Sequence, residues 1–156
     1  MKKLNRVGEK YITNQGYTIE IIGYINATNC TIRFESGLIL YNLIYCNIKR
    51  GRVLNLHHKS YLNVGYLGIG KYTPNFKKKT YHTWTDMLKR CYSKDQLIKN
   101  PSYRDCKVVE EWHNFQNFAK WFDLNYKKGY QLDKDILVKG NKVYSPETCC
   151  FVPSKI

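Results

Sequence analysis

Apolar and polar residues alternate along the first third of the chain. The alternation covers residues 17–25 and, after an Asn-rich turn, residues 30–35; further apolar runs cover 38–41 and 44–48. A two-residue period predicts β-strands, since neighbouring side chains of a strand point to opposite faces. Four or five such strands in about 45 residues predict a small barrel-like sheet, because closure buries the apolar face of short strands.

From Tyr81 onward the apolar spacing lengthens. Trp84, Leu88 and Cys91 recur at intervals of four and three residues, which predicts an amphipathic helix. A second helical stripe comprises Trp112, Phe115, Phe118, Ala119 and Phe122. Gly129 ends the helical pattern, and the runs 132–136 and 149–152 then predict two strands that pair with each other.

These patterns predict an α+β protein in three parts. A barrel-like β module covers residues 1–56, and an α+β domain covers 81–156. Between them, residues 57–80 form a predicted linker with five lysines, four aromatic residues and no acidic residue. A connection of this length is usually functional or disordered, and its aromatic content argues against disorder.

Charge gives the first indication of function. Lys and Arg number 26 against 12 Asp and Glu, a formal net charge of +14. A surplus this large predicts a polyanionic partner, with DNA the first choice and RNA or a ribonucleoprotein the alternatives. In the linker, lysines interleaved with aromatic rings are typical of phosphate contact and base stacking. The predicted nucleic-acid contacts are Lys49, Arg50, Arg52, Lys71, Tyr72, Lys77, Lys78, Lys79, Lys89 and Arg90.

Neither a membrane-spanning segment nor a framework of disulfide bonds is expected. No segment approaches the roughly 20 apolar residues of a membrane span, and no apolar stretch follows Met1–Arg6 as in a signal peptide. An intracellular location and no membrane partner are therefore expected. Six cysteines without a Cys-x-x-Cys pair indicate buried thiols, and zinc is not expected. A zinc site made of Cys91, Cys106, Cys149 and His113 is the alternative.

Two carboxylates in the closing stretch are candidate metal ligands. In a strand over 132–136, Asp133 and Asp135 share one face about 6 to 7 Å apart. This spacing suits Mg²⁺, which takes one or two carboxylates together with water and phosphate oxygens. Ordinary alternation of charge on an exposed strand is the alternative interpretation.

Four ordered motifs carry a family resemblance. They are W-x-x-M-x-x-R-C at residues 84–91, E-W-x-x-F at 111–115, L-D-K-D at 132–135 and Y-S-P-E-T-C at 144–149. Together, over about residues 65–156, the chain resembles bacteriophage proteins of the HNH-type, or homing-endonuclease-like, family. The resemblance implies a ββα-metal fold and a phage protein acting in the cytoplasm of a bacterial host.

The resemblance also implies site residues, and this chain departs from them. Asp133 matches the metal-binding Asp, but Lys134 stands where the family has its general-base His. The middle Asn falls at Thr148, and the last ligand belongs to a helix expected to begin at Pro153. The stretch therefore resembles a ββα-metal site without its helix, either truncated after Ile156 or retained only for binding.

Two functional hypotheses follow. In the first, the protein binds DNA and nicks it with Mg²⁺ through Asp133 and Asp135, with Lys134 contacting phosphate and His113 or Tyr144 as substitute bases. In the second, it is a binding protein without catalysis. That protein would be a DNA-binding regulator or an inhibitor of a host defence system such as a CRISPR effector.

Overall fold

The computed structural model describes residues 4–154 of the chain, which contains both helices and strands and is α+β. The chain divides into two compact units, residues 1–55 and 56–156. Each unit has its own apolar core. Within residues 4–154, no helix combines the length and the apolar character that crossing a bilayer requires.

The first unit is an antiparallel sheet with one short helix. Its strands are β1 (Lys10–Ile12), β2 (Thr18–Asn26), β3 (Asn29–Phe34) and β4 (Ile39–Leu43), in the order β1-β2-β3-β4. Helix α1 (Tyr45–Lys49) follows. The apolar positions of the sequence alternation are the buried ones. For example, Ile21 of β2 pairs with Ile32 of β3, and both side chains are fully buried.

Two predictions for this unit are wrong. The described sheet does not close into a barrel, since β1 and β4 lie at its opposite edges. The run 44–48 forms helix α1 rather than a strand, and short apolar runs do not distinguish the two. Ile48 of α1 and Val53 join the core of the sheet. These residues cover the apolar face that closure was expected to bury.

The second unit combines three helices with short strands. Helices α2 (Lys78–Tyr92), α3 (Lys94–Lys99) and α4 (Phe115–Asn125) are accompanied by 3₁₀ turns at Pro101–Tyr103 and Glu110–His113. Strands β5 (Lys107–Val108) and β7 (Val143–Tyr144) pair in parallel. Strands β6 (Tyr130–Asp133) and β8 (Cys150–Pro153) pair antiparallel, as predicted for the closing stretch.

The predicted helical stripes form the core of this unit. Trp84 and Leu88 of α2 are buried together with Phe115 and Phe118 of α4. The indole N–H of Trp84 donates to the carbonyl of Trp112 at 2.8 Å. The second stripe divides into a 3₁₀ turn and α4, because Asn114 caps α4 by accepting from the backbone N–H of Gln116.

Residues 57–80, predicted as a linker, belong to the second unit by their contacts. The backbone N–H of Tyr66 donates to His113, and that of Phe115 donates to Tyr66, each at 2.9 Å. Gly65 lies so close to α2 that a Cβ there would lie 2.6 Å from Leu88 Cδ1. The absent side chain therefore lets this segment pack against the helix.

Candidate nucleic-acid interface

Asp133 ends strand β6 and caps the turn that follows. Its Oδ1 accepts backbone N–H groups from Asp135 and Ile136, both at 2.8 Å. Because β6 ends at Asp133 instead of continuing to Ile136, Asp133 and Asp135 are not neighbours on one strand face. The Asp133 carboxylate therefore acts here as a turn-forming group.

Lys134 is a buried lysine that fixes the same loop. Its ammonium donates to both carboxylate oxygens of Asp135, at 2.8 and 2.9 Å, and to the carbonyl of Asn141 at 2.9 Å. Burial by itself lowers the pKa of Lys134, but the hydrogen bond and charge of Asp135 outweigh it and raise the pKa. The lysine is therefore held as a cation, which does not suit a general base.

The fit of Mg²⁺ to this stretch is poor. Asp135 is paired with Lys134, and Oδ1 of Asp133 accepts two backbone N–H groups, so both carboxylates already have partners within the protein. No group of three or more His, Cys, Asp or Glu side chains that could hold a metal occurs in the described part of the chain. A magnesium ion at this stretch would have to compete with Lys134 and with the backbone N–H groups for these carboxylate oxygens.

The cysteines of the alternative zinc site lie inside the second core. Cys91, Cys106 and Cys149 are buried free thiols. Burial raises the pKa of Cys91 to about 12 and that of Cys149 to about 11. Within residues 4–154, these thiols and His113 do not form a group of three or more side chains that could hold a metal ion.

His113 and Tyr144, the predicted substitute bases, are engaged in the fold. Nε2 of His113 lies 3.0 Å from the carbonyl of Val108, which can only accept, so this nitrogen donates. Tyr144 is 2 % exposed, and burial raises the pKa of its hydroxyl against the opposing hydrogen bond and charge of Arg90. Among the described residues, no hydrogen bond joins either side chain to Asp133.

Helix α2 carries four basic residues in its first and last turns, of which Lys78, Lys79 and Lys89 are exposed and Arg90 is half-buried. Lys78 and Lys79 occupy its first turn, and Lys89 and Arg90 lie 11 residues further on, about 16 Å along the axis. Within residues 4–154, none of these four forms an ion pair. We call Lys71, Lys78, Lys79, Lys89 and Arg90 the basic strip.

The basic strip borders a narrow cleft of about 150 Å³. Lys79 and Arg90 line it from α2 together with a single carboxylate, Asp86. Burial lowers the pKa of Arg90, but the hydrogen bond to Tyr144 and the nearby charges raise it overall. The cleft thus pairs a half-buried guanidinium with an exposed ammonium, a combination suited to phosphate oxygens.

The segment before α2 is held in place by Gln116 of α4. The Gln116 amide donates to the carbonyls of Leu67 and Tyr72 at 2.9 and 2.8 Å, and its oxygen accepts the Tyr72 N–H at 3.1 Å. Lys71 Nζ lies 5.2 Å from the centroid of the Tyr72 ring. Gln116 therefore fixes the position of Lys71 and Tyr72 on the second unit.

The remaining predicted contacts differ in how they are placed. Lys77 is half-buried and forms an ion pair with Asp123 at 3.3 Å. Lys49, Arg50 and Arg52 are exposed at the end of α1, in the first unit. The predicted set is therefore divided between the two units.

Sequence patterns did not reveal the residues that support the interface. Gln116 acts through main-chain groups that are distant in sequence, such as the carbonyl of Leu67, 49 residues away, and Asn141 Nδ2 donates to the carbonyl of Lys134 at 3.0 Å. Only Asn114, a helix-capping residue type before an apolar stripe, left a sequence signal.

Comparisons of this chain with protein-family models, with curated proteins and with solved structures found no match.

Proposed function

We propose that this chain is a nucleic-acid-binding protein that contacts the phosphate backbone through the basic strip. The observation that carries this proposal is the set of three exposed lysines on α2, Lys78, Lys79 and Lys89, which form no ion pair within residues 4–154. Its unit, residues 56–156, holds 18 basic and 9 acidic side chains, a net charge of +9. DNA is the proposed partner, because each neutralised phosphate releases counterions and adds to affinity.

The charges at the start of α2 support a ligand-binding role. Lys78 and Lys79 lie at the positive end of the helix dipole, and the first turn contains no acidic residue. Cations at this position destabilise a helix by about 0.3 to 1 kcal/mol each. A bound phosphate would reverse that penalty, since helix N-termini and ammonium groups both attract anions.

We propose binding without cleavage as the activity of the isolated chain. Lys134, His113 and Tyr144 all make structural contacts, and the carboxylates of Asp133 and Asp135 are engaged by backbone N–H groups and by Lys134. The antiparallel pair of β6 and β8 supports an HNH-like origin for the second unit. Under this proposal the ββα-metal motif is a retained scaffold in a phage protein that acts inside the host cell.

A band-shift titration with duplex DNA at several KCl concentrations tests the binding. Wild-type affinity should fall linearly on a plot of log K against log salt. The double variant Lys78→Glu/Lys79→Glu should weaken binding by at least about tenfold. It should also make that slope shallower by the contribution of about two phosphate contacts. It should fold normally, because acidic residues favour the first turn of a helix.

A charge-matched control separates the basic strip from overall charge. Lys128 and Lys139 are exposed residues of turns outside the strip. The variant Lys128→Glu/Lys139→Glu should bind duplex DNA with nearly wild-type affinity. Equal losses in the two variants, or no binding by the wild type, would refute the proposed interface.

Supercoiled plasmid incubated with Mg²⁺ or Mn²⁺ tests for cleavage. The proposal expects intact plasmid alongside a salt-sensitive band shift. Nicking that disappears in Asp133→Ala would instead establish the metal-dependent endonuclease that the family resemblance implies.

A further inference from the structure

An exposed aromatic cleft lies next to the basic strip. Its volume is about 520 Å³, and it is lined by Lys71, Tyr72, Thr73, Phe76, Lys77 and Asp123. Phe76 is 75 % exposed and is not among the residues of the second core. The packing of the protein therefore gives no reason for a phenyl ring at this position.

Both rings of the cleft have a lysine beside them. Lys77 Nζ lies 5.3 Å from the centroid of Phe76, and Lys71 Nζ lies 5.2 Å from that of Tyr72. Ammonium groups at this distance attract the ring faces and also meet phosphate groups. An apolar ring with cations on its border matches a base attached to a charged backbone.

The lysines at the cleft differ in their ion pairing and therefore in their roles. Lys77 is neutralised by Asp123 at 3.3 Å, so it orders the wall of the cleft. Lys71 and Lys78 are exposed and, within residues 4–154, form no ion pair, so their charge remains for a ligand. Asp123 is the single carboxylate among the residues that line the cleft, and it is paired with Lys77, so the cleft favours an anionic ligand over a cationic or a neutral one.

We infer that this aromatic cleft binds an unpaired nucleobase, which stacks on Phe76 while Lys71 and Lys78 contact the flanking phosphates. The inference deepens the proposed function and rests on it. Paired bases present only their edges in a duplex groove, whereas stacking on an aromatic side chain needs a free base face. The protein should therefore prefer single-stranded nucleic acid, or duplexes containing unpaired bases.

Fluorescence anisotropy with labelled oligonucleotides of about 12 nucleotides, a length within the range of single-strand binding sites, tests this inference on the full chain. The probes are oligothymidine, a duplex of the same length and an abasic strand with the same phosphates. Phe76→Ala should weaken oligothymidine binding by about tenfold and leave duplex and abasic binding within about twofold. Phe76→Trp should retain the affinity for oligothymidine.

The matched control is Ile98→Ala, which removes an equally exposed apolar side chain, 78 % exposed, from α3. It should leave all three affinities unchanged. Unchanged oligothymidine binding in Phe76→Ala, while the wild type binds, would overturn the inference and favour a protein ligand for the cleft. Equal losses on all probes would also overturn it, since the ring would then serve only the backbone contacts. Absence of binding by the wild type to every probe would refute the proposed function itself.

Discussion

Lys134 shows how the environment of one residue decides its role. This lysine lies at the position where the HNH-type proteins that the sequence resembles have a general base. It is 7 % exposed and donates to Asp135 and Asn141. Nearby, the rings of Tyr103 and Tyr144 lie 5.9 Å from its ammonium. Because its ammonium is hydrogen-bonded on several sides, Lys134 stabilises this loop and is held in the protonated form, which cannot act as a general base.

Replacing this lysine should affect stability. Lys134→Ala leaves the Asn141 carbonyl without its donor and Asp135 without its cation, so we expect a loss of about 2 kcal/mol. Urea unfolding followed by circular dichroism measures the change. Lys139→Ala, an exposed neighbour in the same loop, should be within about 0.5 kcal/mol of wild type. A Lys134→Ala protein of wild-type stability would contradict the structural role.

Buried groups in the second core make stability sensitive to alkaline pH. Burial raises the pKa of Cys91 to about 12 and that of Cys149 to about 11. Since the folded protein favours the neutral thiols, their contribution is complete below the unfolded pKa near 8.5 and is lost as pH rises through the folded values. Tyr144 and Lys134, also with raised pKa values, act in the same direction.

We therefore expect the free energy of unfolding to be steady near pH 8 and to fall between about pH 9 and 12. Each contributing thiol adds up to about 1.4 kcal/mol per pH unit in that window. Chemical denaturation at stepped pH values measures the slope. Cys91→Ala should show a shallower fall, and a profile as steep as that of wild type would exclude Cys91 as a contributor.

At the scale of elements, α2 has two opposite faces with separate roles. One face packs against residues 61–67 and α4 through buried residues such as Trp84 and Leu88, while the other presents Lys78, Lys79 and Lys89 to solvent. The contact with residues 61–67 depends on Gly65, where a Cβ would lie 2.8 Å from Trp84 Cζ2. Packing at Gly65 thus holds the segment that leads to the basic strip.

Gly65→Ala should destabilise the second unit by about 1 to 3 kcal/mol, because the added methyl group overpacks the contact with Leu88 and Trp84. Thermal unfolding measures this loss. Ser60→Ala, an exposed substitution in the same segment, should have little effect. If Gly65→Ala is as stable as wild type, the segment does not pack against α2 as described.

At the scale of the whole molecule, the charge is unevenly divided. Residues 1–55 hold 8 basic and 3 acidic side chains, a net charge of +5, against +9 for residues 56–156. The first unit contributes Lys49, Arg50 and Arg52, whereas the basic strip and the aromatic cleft belong to the second. The second unit is thus expected to contribute most of the affinity for nucleic acid.

A fragment comprising residues 56–156 should unfold cooperatively and keep most of the wild-type affinity, since it has its own core and the whole basic strip. Circular dichroism during heating tests its folding, and the band shift tests its binding. The fragment 1–55 should bind more weakly. A folded fragment 56–156 that does not bind would transfer the main contact surface to Lys49, Arg50 and Arg52.

Much of the architecture followed from local patterns. Period-two alternation predicted β2 and β3, and the spacing of Trp84, Leu88 and Cys91 predicted α2, because burial of one face imposes its period on the sequence. The run 44–48 had no such period and was wrongly predicted as a strand. The barrel was wrong for a related reason, since the sequence did not show that α1 would supply the cover for the sheet.

The surplus of positive charge, strands β2 and β3 and helix α2 were determined by the sequence alone, since they depend on residue types and on their spacing along the chain. Only the tertiary structure decided which charges remain available for a ligand. Lys134 and Lys77 are paired with carboxylates, while Lys78 and Lys79 have no carboxylate partner in the part of the chain that the structure describes. Pairing depends on side chains that meet in space, and Lys77 meets Asp123 although they are far apart in sequence.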